Sequence, residues 1–234
     1  MKKFLMLIFI SLFLFSCEQL EKGLKQQNIV TQTEAINGLK EALNIGTKNA
    51  VNYLKQPGAL YNNPSLRIPF PNEVSYVADK LNQIGLNSLV DKFVQTMNEA
   101  AEKSMEKALP IFTQAIQEMT ITDAKNILKG GNNAATLYFK SKTYQSLYQA
   151  FMPIIKQTLM QVNATKYWNE ITTKYNTLPG VNPVNTDLAD YVTEQAINRL
   201  FNKIAEEEAK IRTDVNARTT DLLRKVFDSN AIVI

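Results

Sequence analysis

Between Leu89 and Met119 apolar residues return at every third or fourth position: Leu89, Val90, Phe93, Val94, Met97, Ala100, Ala101, Met105, Ala108, Phe112, Ala115, Ile116 and Met119. At helical period this spacing gathers them into one stripe, whereas a strand would send alternate residues to opposite faces. A chain with such a stripe must bury it against another layer of secondary structure. Pro110 interrupts the stripe. Having no N–H, and crowding the turn before it, Pro110 predicts a kink or a break into two helices near Ala108.

The same period recurs along the chain. Thr31-Gln-Thr-Glu34 has capping-box spacing and opens a helix carrying Ala35, Leu39, Ala42, Leu43, Ala50, Val51 and Leu54, which Gly46 weakens without ending. Pro57-Gly58 stops that helix, and the proline-rich stretch to Pro71 is expected to run extended across the surface. A helix over about 72–83 closes at Gly85. Thr120-Ile-Thr-Asp123 opens a short helix to Lys129, and Gly130-Gly131 separates it from a helix beginning at Asn132 or Asn133. That helix carries Leu147, Phe151, Ile155 and Leu159, with Pro153 as a second kink. Further helices are predicted from Asn163 or Thr165 to Tyr175, from Leu188 to Ile211, and around Leu222 to Phe227. No segment joins period-2 alternation to turn signals, so the expected fold is all-α, a single bundle-like domain with Pro-kinked long helices.

The first residues read MKKFLMLIFISLFLFSC, two lysines and then an apolar run interrupted only by Ser11, the layout of a secretory signal. The run is shorter than the roughly 20 apolar residues of a permanent membrane helix. Leu14-Phe15-Ser16-Cys17 resembles a lipoprotein processing site, and Cys17 is the only cysteine. The expected organisation is a signal peptide over 1–16, a lipidated Cys17 with a polar tether to residue 30, and a helical domain over 31–234. Cys17 would be the lipid attachment point and the membrane the first partner. Glu18 follows it where a signal for inner-membrane retention would place Asp. The expected location is therefore the cell envelope, at the outer membrane and facing the periplasm.

Histidine is absent. Its absence removes Ser-His-Asp and Cys-His catalysis, the usual zinc ligand sets and the His-containing di-iron sites of bundles, so no metal or cofactor is expected. Loss of Lys2 and Lys3 with the signal lowers the formal charge from +4 to about +2. The remaining cations are interspersed with acids, which argues against a nucleic-acid groove and against an extended polybasic membrane patch.

Within the helices, Glu99, Glu102 and Glu106 with Asn98 have the spacing of carboxylates that bind metals in bundles. Lys103 among them makes a solvated face the simpler account. Glu206-Glu207-Glu208, between Lys203 and Lys210, reads as solvated charge for the same reason. KGGNNAATLYFKSKT (129–143) lacks the strand and the GK[ST] ending of a phosphate loop. The N–H groups of the helix that follows its glycines, with Lys129 nearby, could still attract an anion. Arg67, Arg212, Arg218 and Arg224 are able to meet an anionic group. The candidate ligand- or partner-binding residues are Arg67, Asn98, Glu102, Asp123, Asn132, Asn133, Thr136, Lys140 and Arg218. Two functions are in play: a non-enzymatic module binding an envelope protein or an amphipathic ligand, and an envelope hydrolase using carboxylates, with Glu102 and Asp123 as first suspects.

GLKEALNIGTKNAV (38–51), LRIPFP (66–71), MNEAAE (97–102), the run from residue 115 to 143, DYVTEQAINRLF (190–201) and IRTDVNARTTDLLRKVF (211–227) resemble the bacterial family called domain of unknown function 4197. The resemblance spans nearly all of the chain after the signal. It implies a helical, exported protein, frequently a lipoprotein, and it implies no catalytic residues.

Overall fold

The computed structural model describes residues 30–72, 75–83, 85–161, 164–177, 179–180 and 187–228. The signal peptide, Cys17 and the tether before Val30 lie outside the described residues. So does Asn163, one of the two expected caps.

The described elements are helical: α1 (Gln32–Leu54), α2 (Ser75–Gln83), α3 (Asn87–Ser104), a 3-10 turn (Met105–Lys107), α4 (Ala108–Gln117), α5 (Ile121–Lys129), α6 (Ala134–Gln161), α7 (Ala164–Asn176), α8 (Leu188–Thr213), a second 3-10 turn (Val215–Ala217) and α9 (Asp221–Asp228). The long helices α6 and α8 pack on one another. α1 lies against α8, α3 against α6, and α4 bridges α1 and α6. Their shared core is led by Phe112, Phe139, Phe151, Leu147 and Ile155, all fully buried, with the Phe112 and Phe139 rings 5.0 Å apart. A second aromatic group, Phe70, Phe93 and Trp168, joins the chain before α2 to α3 and α7.

Both capping boxes form. The Thr31 hydroxyl accepts from the Glu34 N–H and the Glu34 carboxylate accepts from the Thr31 N–H; Thr120 and Asp123 do the same at α5. The break in the long stripe falls where Pro110 predicts it. The 3-10 turn at Met105–Lys107 tightens the chain just before α4, whose third residue is Pro110 and has no N–H to give. Gly85 closes α2 with φ of +82°, a left-handed conformation open to glycine.

Pro153 lies inside α6, which runs unbroken from Ala134 to Gln161. Pro153 and Gln149 are both exposed, so water can reach the carbonyl that loses its partner. One expectation fails: the proline-rich stretch is not a surface ribbon. Residues 55–72 form a turned strap that buries Leu60, Leu66 and Ile68. Gly58, at φ +78°, accepts through its carbonyl from the Asn62 N–H, and Asn63 accepts from the N–H groups of Leu66 and Arg67. These local bonds let a chain rich in prolines turn inward.

Candidate functional site

The strap brings together three of the nine polar candidates, Arg67, Asn98 and Glu102. Such a segment has backbone groups that no regular ladder satisfies, and buried ones must find partners elsewhere. Asn98 and Glu102, one turn apart on α3, provide them. The Asn98 carboxamide, fully buried, accepts from the Ile68 N–H at 2.8 Å and donates to the Ile68 carbonyl at 2.9 Å and to Val94 O at 2.8 Å. The Glu102 carboxylate, 3% exposed, accepts from the Gly58 N–H at 2.9 Å and the Leu60 N–H at 2.8 Å. From the other side Arg199 of α8 donates to the carbonyls of Leu66 and Arg67, and the Tyr191 hydroxyl donates to Pro69 O.

Arg67 is half-buried and turned toward the strap itself. Its Nε donates to Tyr61 O at 2.6 Å and its guanidinium lies 4.5 Å from the centre of the Tyr61 ring. The Tyr61 hydroxyl donates to Asp91 of α3, and that carboxylate raises the phenol pKa. On one side of this trio the strap and α3 enclose an open groove of about 430 Å³, lined by Lys55, Pro57, Gly58, Tyr61, Asn62, Gln95, Glu99, Glu102 and Lys103. On the other side a shallower hollow runs past Arg67, Asn82, Asn87 and Asp91. The metal reading of Glu99, Glu102 and Glu106 gains nothing: Glu102 faces backbone amides, and among the described residues no group of three or more carboxylates is placed to hold an ion.

A second polar cluster lies at the start of α6, and it corrects two expectations. The helix begins at Ala134, after the exposed Asn132 and Asn133, and its N-terminal amides do attract an anion. That anion is the protein's own Glu208, which accepts from Ala135 N–H and Thr136 N–H, both at 2.9 Å, and from the Thr136 hydroxyl at 2.8 Å. Glu208 is therefore not solvated charge; it is 8% exposed and paired with Arg212 at 2.9 Å. Arg212 also donates to Ile127 O at the end of α5. Arg218, 6% exposed, donates to Ile211 O and Arg212 O and pairs with Asp228 of α9. Glu206 matches the solvated reading, exposed and paired with Lys203, whereas Glu207 is half-buried between Lys203 and Lys210.

Asp123 is the capping carboxylate of α5, and its bonds from Thr120 hold its pKa below the usual range. Of the nine candidates, Asn98, Glu102, Asp123, Thr136 and Arg218 thus serve the fold directly, while Arg67, Asn132, Asn133 and Lys140 keep exposed surface. Glu208 and Arg199 are the residues missed. Glu208 had a signal: Leu200, Ile204, Glu208 and Ile211 follow one another at helical spacing, placing the carboxylate in the buried stripe.

The class defined by this architecture is an all-α domain whose irregular strap and central helix are fastened by buried carboxylates. The family model described as "Protein of unknown function (DUF4197)" matches residues 29–228, and the chain belongs to that family. No curated protein and no solved structure matches the chain.

Proposed function

We propose that the protein is a lipid-anchored component of the cell envelope, attached through Cys17 at the outer membrane and facing the periplasm, and that it is a non-enzymatic module binding a partner protein or amphipathic ligand. The observation that carries the binding role is the groove beside the strap. It combines the Tyr61 ring and Pro57 with Lys55, Asn62, Gln95, Glu99 and Lys103, and Asn98 and Glu102 hold one of its walls in place. Apolar area with a few fixed polar groups is the composition of recognition surfaces. The two carboxylates first suspected of hydrolysis are engaged with backbone N–H groups of the fold, and Asp123 is held ionised, which does not suit it to proton donation.

The test is photocrosslinking in living cells from an unnatural side chain at Asn62 or Gln95, with mass spectrometry of the detergent-extracted protein for bound lipids. An adduct at these positions, absent when the probe stands at Lys156, is the expected result. The binding role is lost if neither position captures a protein or a lipid. Labelling with radioactive palmitate, abolished by Cys17→Ser, tests the anchor separately.

A further inference from the structure

The hairpin of α5 and α6 contains the opening of KGGNNAATLYFKSKT and has no part in the strap groove. Its residues from 121 to 143 include Lys125, Lys129, Lys140 and Lys142 against one carboxylate, Asp123. Lys142 lies over the Tyr138 ring, beside Asp123 and Glu118. Lys125, Lys129 and Lys140 have no carboxylate within ion-pair distance among the described residues. Two large apolar side chains stand out among them: Ile121 is 56% exposed and Leu137 58%. Ile121, Lys125 and Lys129 succeed one another at i, i+4 and i+8 on α5, and Leu137 precedes Lys140 by one turn on α6.

The position of this surface says what it meets. Val30, the first described residue, sits in a small apolar cluster with Ala35 and Val226, and Leu128 of α5 packs against that cluster. The chain therefore enters the domain beside the hairpin. The thirteen residues from Glu18 to Val30 reach at most about 45 Å when fully extended. A lipid on Cys17 would hold this pole of the molecule close to a bilayer. Glu34, next to Ala35 of that cluster, is paired with Lys225 of α9, and Asp221 of α9 with Arg224.

We propose that the outer face of the α5–α6 hairpin, through the exposed Lys129, Lys140, Ile121 and Leu137 and the half-buried Lys125, lies on an anionic lipid surface and orients the anchored domain. The inference rests on the anchored reading above for its setting, and on the hairpin's own charge and apolar side chains for its chemistry. Three lysines are fewer than a segment that binds membranes unaided, so the patch acts as a second attachment beside the acyl chains. Each lysine near an anionic surface strengthens partition roughly fivefold in low salt, an effect that fades beyond a Debye length of about 10 Å.

The test reconstitutes the full processed chain into phosphatidylethanolamine vesicles with or without about a third phosphatidylglycerol, and reads lysine acetylation by mass spectrometry. Lys156, about 24 Å further along α6 than Lys140, is the internal reference. Expected is slower acetylation of Lys125, Lys129 and Lys140, by at least fivefold relative to Lys156, on anionic vesicles only. High salt reverses it, and Lys125→Glu with Lys129→Glu abolishes the protection of Lys140. Leu137→Ser, a milder change, should weaken protection without altering the far-ultraviolet circular dichroism. A chain that floats with the vesicles while its three lysines react like Lys156 overturns the hairpin proposal and leaves the anchor standing. Protection without lipid overturns it in favour of a protein contact. If Cys17 carries no lipid, the attachment that the hairpin supplements is gone, and the anchor and the hairpin proposal fall together.

Discussion

Glu102 and Glu208 are built alike and supported differently. Each is a buried carboxylate on a long helix, and each accepts two backbone N–H groups from a segment distant in sequence. Glu102 faces amides alone, on a strap with no helix behind it. Glu208 faces the first turn of α6, where the aligned peptide dipoles favour an anion, and it adds the Thr136 hydroxyl and the Arg212 guanidinium. The first therefore fixes a loop, and the second ties together α5, α6 and α8. Removing either leaves N–H groups without partners, but only the second also strands a cation.

The largest effect should follow Glu208→Ala. Breaking a buried ion pair from one side costs about 3 to 5 kcal/mol, which for a domain of this size lowers Tm by roughly 6 to 20 °C. Thermal unfolding followed by circular dichroism measures it, and a loss below about 1 kcal/mol would show that water replaces the carboxylate. Glu102→Ala should cost less, about 2 to 4 kcal/mol for two orphaned amides. Its signature is local, with faster hydrogen exchange at Gly58 and Leu60 while Ala135 and Thr136 stay protected. Equal acceleration at both places would erase the distinction between loop clamp and helix clamp. Thr136→Val keeps the shape and removes one hydroxyl bond, for about 1 kcal/mol by urea unfolding.

A smaller prediction concerns the attachment of α9. Lys225 and Thr31 hold the Glu34 pKa down to about 2. A depressed carboxylate stabilises the folded state above its ordinary pKa near 4.5, and the contribution disappears as pH falls toward 2. Fluorescence from a probe on α9 should report its loosening in that window, and Glu34→Gln should flatten the transition. Because Glu34 is solvent-accessible, salt should weaken the effect.

The helices were legible because apolar period, capping boxes and proline are local signals. The break before Pro110 and the boxes at Thr31 and Thr120 needed no tertiary knowledge. The strap was legible as an interruption and misread as surface, since proline content reports lost N–H groups and not burial. What pulls it inward is a carboxamide and a carboxylate about 30 to 44 residues away, a relation that no window of sequence contains. Glu208 was obscured by its neighbours: in a run of three glutamates charge dominates composition, and only the phase relative to Ile204 and Ile211 separates the inward one. For the same reason the anion expected at the start of α6 was sought outside the molecule.

The cluster of Val30, Ala35 and Val226, with the Glu34–Lys225 pair beside it, also has a mechanical meaning. The first and last described helices touch, so a pull on the chain ahead of Val30 meets α9 before it meets the long central helices. At Gly38 there is no spare room to absorb such a load, since a single added carbon would lie 2.6 Å from Val226. Tension on the tether would therefore pass through this junction into both α9 and α1, and through α1 into the core it shares with α8.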